Sequence, residues 1–168
     1  MVTSDSNFNS VTKSLDSLVG FETKKALSLS NDGIVHGFRD KFEKILSYEI
    51  DFVFGNRDEA LALTGTNNID DAIEALKEKD FTTIITDGPN GSFIITGGDI
   101  IKNNGLEVEA IDTNGAGDMF AGAFMHAMLN GKKLHECGAF ANLAASKIVQ
   151  TFGPRLKKEE YQNLLENL

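Results

Sequence analysis

Asp112-Thr113-Asn114-Gly115-Ala116-Gly117-Asp118-Met119-Phe120 is the run from which the rest of the chain is read. It follows Leu106–Ile111, whose alternation reads as a last short strand, and it opens an Ala-, Gly- and Phe-rich helix expected over about Gly115–Leu129. Small side chains at a strand-to-helix turn leave backbone N–H groups uncovered. Those donors point the same way, and the helix dipole adds positive potential. Gly115, Ala116 and Gly117 therefore make a candidate anion site, with Asp118 beside it in the first helical turn. A carboxylate there could accept a proton from a hydroxyl attacking phosphorus. The same residues also read as a plain glycine turn with Asp118 as a helix-start residue, and physics alone leaves both readings open.

Working back from this run, strands and helices alternate. Val11, Leu15, Leu18 and Val19 have the spacing of a short helix after a loose polar end. Ala26–Ser30 reads as a strand broken by Asn31-Asp32-Gly33, and Phe38, Phe42, Ile45 and Leu46 mark a helix face. Ile50–Phe54 is a second strand. Asn56 caps a helix that Gly65 ends, and a further helix runs over Ile69–Leu76. Thr82–Thr86 and Ser92–Thr96 read as strands around Asp87-Gly88-Pro89-Asn90-Gly91, and Gly97-Gly98 turns the chain into a local antiparallel section. Beyond Asp118 the chain reads as helix over Leu134–Val149 and again from Lys157. This order predicts an α/β fold whose mostly parallel sheet is covered by helices.

Composition sets the class. The 168 residues are 41% hydrophobic and 24% charged, as in ordinary globular proteins. Sixteen basic against twenty-five acidic residues give a net charge of −9, which argues against nucleic-acid or anionic-membrane partners. The polar N-terminus lacks a signal-peptide pattern, and no apolar run approaches a bilayer span. With Cys137 as the one cysteine there is no intrachain disulfide. A cytoplasmic location is the expectation.

Four ordered segments then carry a resemblance. Asp112-Thr113-x-Gly115-Ala116-Gly117-Asp118-x-Phe120, with Ala121-Gly122-Ala123-Phe124, resembles the C-terminal signature of the PfkB family, the ribokinase-like sugar and nucleoside kinases. Asn56-Arg57-Asp58-Glu59 is similar to its N-x-x-E motif, and Thr86–Gly91 to its T-x-G-x-x-G nucleotide loop. Phe140–Ala145 resembles the small-residue helix walling the adenine pocket. The likeness spans about Ala26–Leu156, with stretches most similar to the adenosine-kinase branch. It implies a ribokinase-like (Rossmann-like), mostly parallel sheet flanked by helices, lacking the family's N-terminal half and lid. Residues 26–168 are then the C-terminal nucleotide-binding and catalytic part, and 1–25 a poorly defined N-terminal segment.

The resemblance also implies roles. Asp118 matches the general base, and Gly115, Ala116 and Gly117 match the anion hole. Asn56 and Glu59 match residues that organise Mg²⁺ and the ATP phosphates, often through water, with a plain helix cap as the bland reading of Asn56. Thr86, Gly88 and Gly91 match the loop along the nucleotide, and Asn142 an adenine-pocket residue, with a simple turn and helix packing as alternatives. A monovalent cation, K⁺, is implied at Asp112, Asn114, Ile148, Thr151 and Gly153, mostly through carbonyls. The implied activity is ATP-dependent transfer of a phosphoryl group to a hydroxyl of a small-molecule nucleoside or sugar. The alternative is a truncated nucleotide-binding remnant without activity of its own, because the acceptor-binding half has no counterpart here. A sheet losing that half exposes an edge, and a homo-oligomer through it is expected. His36, His126, His135 and Cys137 have no metal-ligand spacing and read as surface or packing residues.

Overall fold

The computed structural model describes residues 3–168. The first two residues of the expected 1–25 segment lie outside the described residues. Five strands form one sheet in the order β1-β2-β3-β4-β5, namely β1 Ala26–Ser28, β2 Phe52–Asn56, β3 Thr82–Thr86, β4 Ser92–Thr96 and β5 Asp99–Asn103. By internal contacts the chain divides into two compact units. One runs to Ile85 and takes in Ile95–Asp99; the other holds Thr86–Ile94 and Ile100–Leu168.

In the first unit, helix α1 (Asp5–Asp16) starts six residues before the expected Val11. Ser4 explains the earlier start: its Oγ accepts the Asn7 amide at 3.2 Å, and Asp5 sits on the positive end of the dipole. No residue of α1 is buried, although Phe8 lies under the ammonium groups of Lys41 and Lys44, each 5.5 Å from its ring centroid. β1 stops at Ser28 rather than Ser30. Asn31 does end the extended run, but it also caps helix α2 (Asp32–Gly37) by accepting the Ile34 amide at 3.0 Å. Turn-forming and helix-starting residues are chemically the same set, so the sequence showed the break and missed the helix. Helix α3 (Arg39–Leu46) follows, then β2, which pairs with β1 in parallel through Ala26↔Phe52 and Leu27↔Val53.

Helices α4 (Arg57–Thr64) and α5 (Ile69–Lys77) form where the spacing predicted them, with Gly65 ending α4 at φ +72°. Val35, Val53, Ala72, Ile84 and Ile85 are fully buried. Removing each large aliphatic side chain from water contributes about 1.5–3 kcal/mol.

Thr82 Oγ1 lies 3.0 Å from Thr96 Oγ1, so the start of β3 meets the end of β4 and the two run antiparallel. Gly97 and Gly98, at φ +56° and +85°, supply the two left-handed residues that a tight hairpin to β5 requires.

The second unit is built on α6 (Ala116–Leu129) and α7 (Leu134–Ile148), which pack together, followed by α8 (Lys158–Leu165). Ala127, Ala141 and Ala144 are fully buried and let the two backbones approach. Phe120 and Phe124, stacked at 6.3 Å between centroids, fill the rest of the interior. The expected strand over Leu106–Ile111 is absent: 104–110 runs without regular structure. Its alternation is genuine, because Leu106, Val108 and Ala110 all line one cavity, but no strand among the described residues lies beside it to make a ladder. Among the described residues no helix is long and apolar enough to cross a membrane.

Candidate active site

Gly115 stands at the N-cap of α6 in the left-handed region, φ +79°, and offers no side chain to cap the helix. The Ala116 amide donates back to the Thr113 carbonyl at 3.2 Å. The amides of Gly115, Gly117 and Asp118 have no partner among the described residues, which leaves them open as donors at the positive end of a fourteen-residue helix.

Two cavities, each of about 430 Å³, flank this helix start within the second unit. Both fall in the size range of small-molecule sites. Ala116 and Gly117 wall one of them together with Thr86, Gly88, Gly91 and Asn142. The structure thus gathers Thr86, Gly88, Gly91 and Asn142, the four residues assigned to the nucleotide in that unit, around one hollow. Gly115 and Asp118 line the other, with Met119, His126, Arg155 and Tyr161. Asp118 is exposed in the first turn of α6. Sequence reasoning read His126 as a surface or packing residue and gave Arg155 and Tyr161 no site role; their shared wall with Asp118 joins α6, the segment before α8 and α8 itself, and carries no motif.

A clamp holds the turn from behind. The Asp112 carboxylate accepts the Asn114 and Gly153 amides, both at 3.0 Å. Those two hydrogen bonds, Asn114 first, hold its pKa below the ordinary aspartate range. Of the five residues predicted to hold a monovalent cation, Asp112, Asn114 and Gly153 are therefore tied together. Ile148 and Thr151 are tied to each other, since the Ile148 carbonyl accepts the Thr151 amide at 3.0 Å and its hydroxyl at 2.9 Å. The carbonyls of Asp112, Asn114, Thr151 and Gly153 accept no backbone hydrogen bond from the described residues. That donor set fits K⁺; the Ile148 carbonyl, with two hydrogen bonds already, fits it least.

In the first unit, Asn56 and Glu59 form a capping box at the start of α4. Asn56 Oδ1 accepts the Glu59 amide at 2.9 Å, and Glu59 Oε2 accepts the Asn56 amide at 3.0 Å. Asn56 Nδ2 donates to the other carboxylate oxygen at 3.2 Å. Glu59 is 7% exposed, and burial pushes its pKa up, while the Asn56 amide pulls it back. Gly55, which no motif singled out, permits this fold-back: a β-carbon there would meet Leu29 Cδ1 at 2.9 Å and Glu59 Oε2 at 3.1 Å. No three His, Cys, Asp or Glu side chains among the described residues come together as a metal cage. One carboxylate with both oxygens already hydrogen-bonded fits Mg²⁺ held mainly by phosphate and water, with Glu59 acting through water.

Gly105 was also missed. A β-carbon on Gly105 would strike the Pro89 carbonyl, and one on Gly91 would strike the Asn103 carbonyl oxygen. Two chain segments cross there at backbone distance, at the edge of the cavity lined by Thr86 and Asn142.

Comparison with known proteins fits this arrangement. The family model described as pfkB family carbohydrate kinase matches residues 14–160. The chain belongs to the pfkB family. The match begins ahead of Ala26, where the likeness read from the sequence begins. A nucleoside kinase of Methanothermobacter thermautotrophicus is 32% identical over 158 residues, covering 91% of this chain and 48% of that protein. An adenosine kinase of Dictyostelium discoideum is 28% identical over 141 residues, covering 76% of this chain and 41% of that one. Among solved structures, an adenosine kinase from Sinorhizobium meliloti superposes with a TM-score of 0.87 at 29% identity, covering 95% of this chain and 49% of that chain. A probable sugar kinase from Rhizobium etli gives 0.86 at 28%, with 94% and 49% coverage. The fold is ribokinase-like, and the chain spans about half the length of the pfkB-family relatives it matches.

Proposed function

We propose that this chain carries the donor and base machinery of an ATP-dependent phosphotransferase that moves the γ-phosphoryl group to a hydroxyl of a nucleoside, adenosine-like, or of a sugar. One observation carries the reading: open amides at the start of α6 adjoin the hollow that gathers Thr86, Gly88, Gly91 and Asn142, while Asp118 adjoins the next. Nucleotide lies along Thr86, Gly88 and Gly91, where small residues let the protein backbone approach its ribose and phosphates, with the base against Asn142. The transferred group reaches the tip of α6, and the amides of residues 115–117, those of Gly115 and Gly117 being open, stabilise its oxygens. Asp118 takes the proton of the attacking hydroxyl. Mg²⁺, when bound, neutralises charge on the ATP phosphates; Asn56 and Glu59 orient its waters. K⁺ is held by the carbonyls around Asp112, Asn114, Thr151 and Gly153. Residues 26–168 form the nucleotide-binding and catalytic part, in a cytoplasmic protein. The outer edge of β1, one of the two terminal strands of the sheet, is where a second copy adds.

The test is phosphoryl transfer by the purified chain from ATP and Mg²⁺ to a panel of nucleosides and sugars, read by mass spectrometry. Product is expected, and Asp118→Asn is expected to lose about 10²–10⁴-fold in rate. A variant within a few-fold of the parent removes Asp118 from the chemistry. The half-length match favours a second reading, a nucleotide-binding remnant. Calorimetric ATP binding with no product from any acceptor supports that reading and rejects turnover.

A further inference from the structure

Cavity walls differ in how they are held. Helix α7 and the hairpin turn at 88–91 belong to packed elements, but the wall formed by Gly105, Leu106, Val108 and Ala110 is a strap with no strand beside it among the described residues. Something must fix its path. Where it leaves β5, the Asn103 side chain donates through Nδ2 to the His135 carbonyl of α7 at 2.8 Å. In return Asn142 of α7 donates through Nδ2 to the carbonyls of Asn103 at 3.3 Å and Asn104 at 3.2 Å. Gly138 makes the approach possible, because a β-carbon there would strike Asn103 Oδ1. At that close approach Asn103 Oδ1 is buried with no hydrogen-bond partner among the described residues, an arrangement that stability alone does not favour. The far end is tied too: the Ile111 and Asp112 amides both donate to the Val149 carbonyl, at 2.7 and 3.1 Å.

We propose that Asn103 is a positioning residue for the cavity: by clasping α7 across Gly138 it sets the path of the 104–110 strap, and so sets nucleotide affinity without touching nucleotide. The inference rests on the nucleotide reading of that hollow. It also gives Asn142 a defined orientation, with its amide nitrogen on the strap.

The chain has no tryptophan, so Leu106→Trp places a single reporter in the strap, at a position already 43% exposed. Titrating this protein with ATP and Mg²⁺ gives an affinity from Trp emission. Asn103→Ala and Gly138→Ala, each in that background, are expected to weaken ATP binding about tenfold or more, as loss of a supporting shell does. They are also expected to raise acrylamide quenching of the reporter. In the double variant the two losses should not add, because truncating Asn103 makes room for the new methyl. A structural role alone would lower the melting temperature and leave affinity, measured well below melting, within twofold of the parent; that result overturns the proposal. Gly138→Ala keeps the test alive if Asn103→Ala does not fold. If calorimetry of the unsubstituted chain shows no ATP binding, the nucleotide reading itself fails and takes the clasp's function with it.

Discussion

Pro154 fills the space that a side chain on Gly115 would need: a β-carbon there would stand 2.9 Å from Pro154 Cβ and 3.0 Å from its Cα. Gly115 also holds φ +79°. Two independent demands therefore meet at one residue. Gly115→Ala is expected to destabilise by about 1–3 kcal/mol from the backbone conformation alone, with the contact adding to it. Gly117→Ala makes the contrast. Nothing lies within 4 Å of its new methyl, so stability should hold or rise by a few tenths of a kcal/mol, as is general for exchanging helical glycine for alanine. Its methyl enters the nucleotide hollow, so ATP affinity should fall. Thermal unfolding beside ATP titration separates the pair.

Asp112 gives a prediction in pH. The Asn114 and Gly153 amides lower its folded-state pKa. A depressed carboxylate contributes stability that is present above the unfolded value, about 3.9, and is lost as pH falls through the lower folded value. Asp112→Asn should therefore unfold more readily than the parent at neutral pH, with the gap closing below about pH 4. Denaturant melts from pH 7 to pH 2.5 measure this; a gap that stays constant over that range would mean the two hydrogen bonds do not set the titration.

Glu59 has the opposite sign. Burial raises its folded-state value above the ordinary 4.5, so its ionised form opposes folding at neutral pH, and that penalty fades as pH falls toward 4.5. Glu59→Gln retains an acceptor for the Asn56 amide and removes the buried charge. It should match or exceed the parent in stability at pH 7, with the difference shrinking on acidification. Glu59→Ala loses the capping box and should lose about 0.5–2 kcal/mol. If Glu59 also orients Mg²⁺ waters, both variants should weaken the Mg²⁺ dependence of ATP binding.

Phe120 is both core and cavity floor. At 2% exposure it stacks on Phe124 and lines the hollow beside Gly117. Phe120→Ala should destabilise by about 3–5 kcal/mol. Phe120→Leu should lose far less, because shape-similar apolar exchanges are tolerated. Chemical denaturation of the two variants checks the contrast.

Legibility followed the reach of the interactions. The Asn56 cap, the Gly65 stop and the Thr82–Thr86 and Ser92–Thr96 strands were readable because each rests on neighbours in sequence. The Asp112–Phe120 run pointed to a helix start with open amides for the same reason. What stayed hidden depends on partners far along the chain. Leu106–Ile111 alternates as a strand should, yet only the presence of a neighbour could make it one. Gly105 matters because Pro89 passes behind it, Gly138 because Asn103 does, and neither crossing leaves a mark in local pattern. Asn31 failed differently: breaking a strand and starting a helix require the same side chain.

Gly117 and Asp118 are adjacent in the chain yet border different hollows, because successive residues on a helix point about 100° apart. Inserting or deleting one residue between Gly115 and Gly117 would rotate both assignments together and aim the carboxylate away from its own hollow. Length, more than composition, is what this turn must conserve, and a single-codon indel here should be more harmful than any exchange of one side chain.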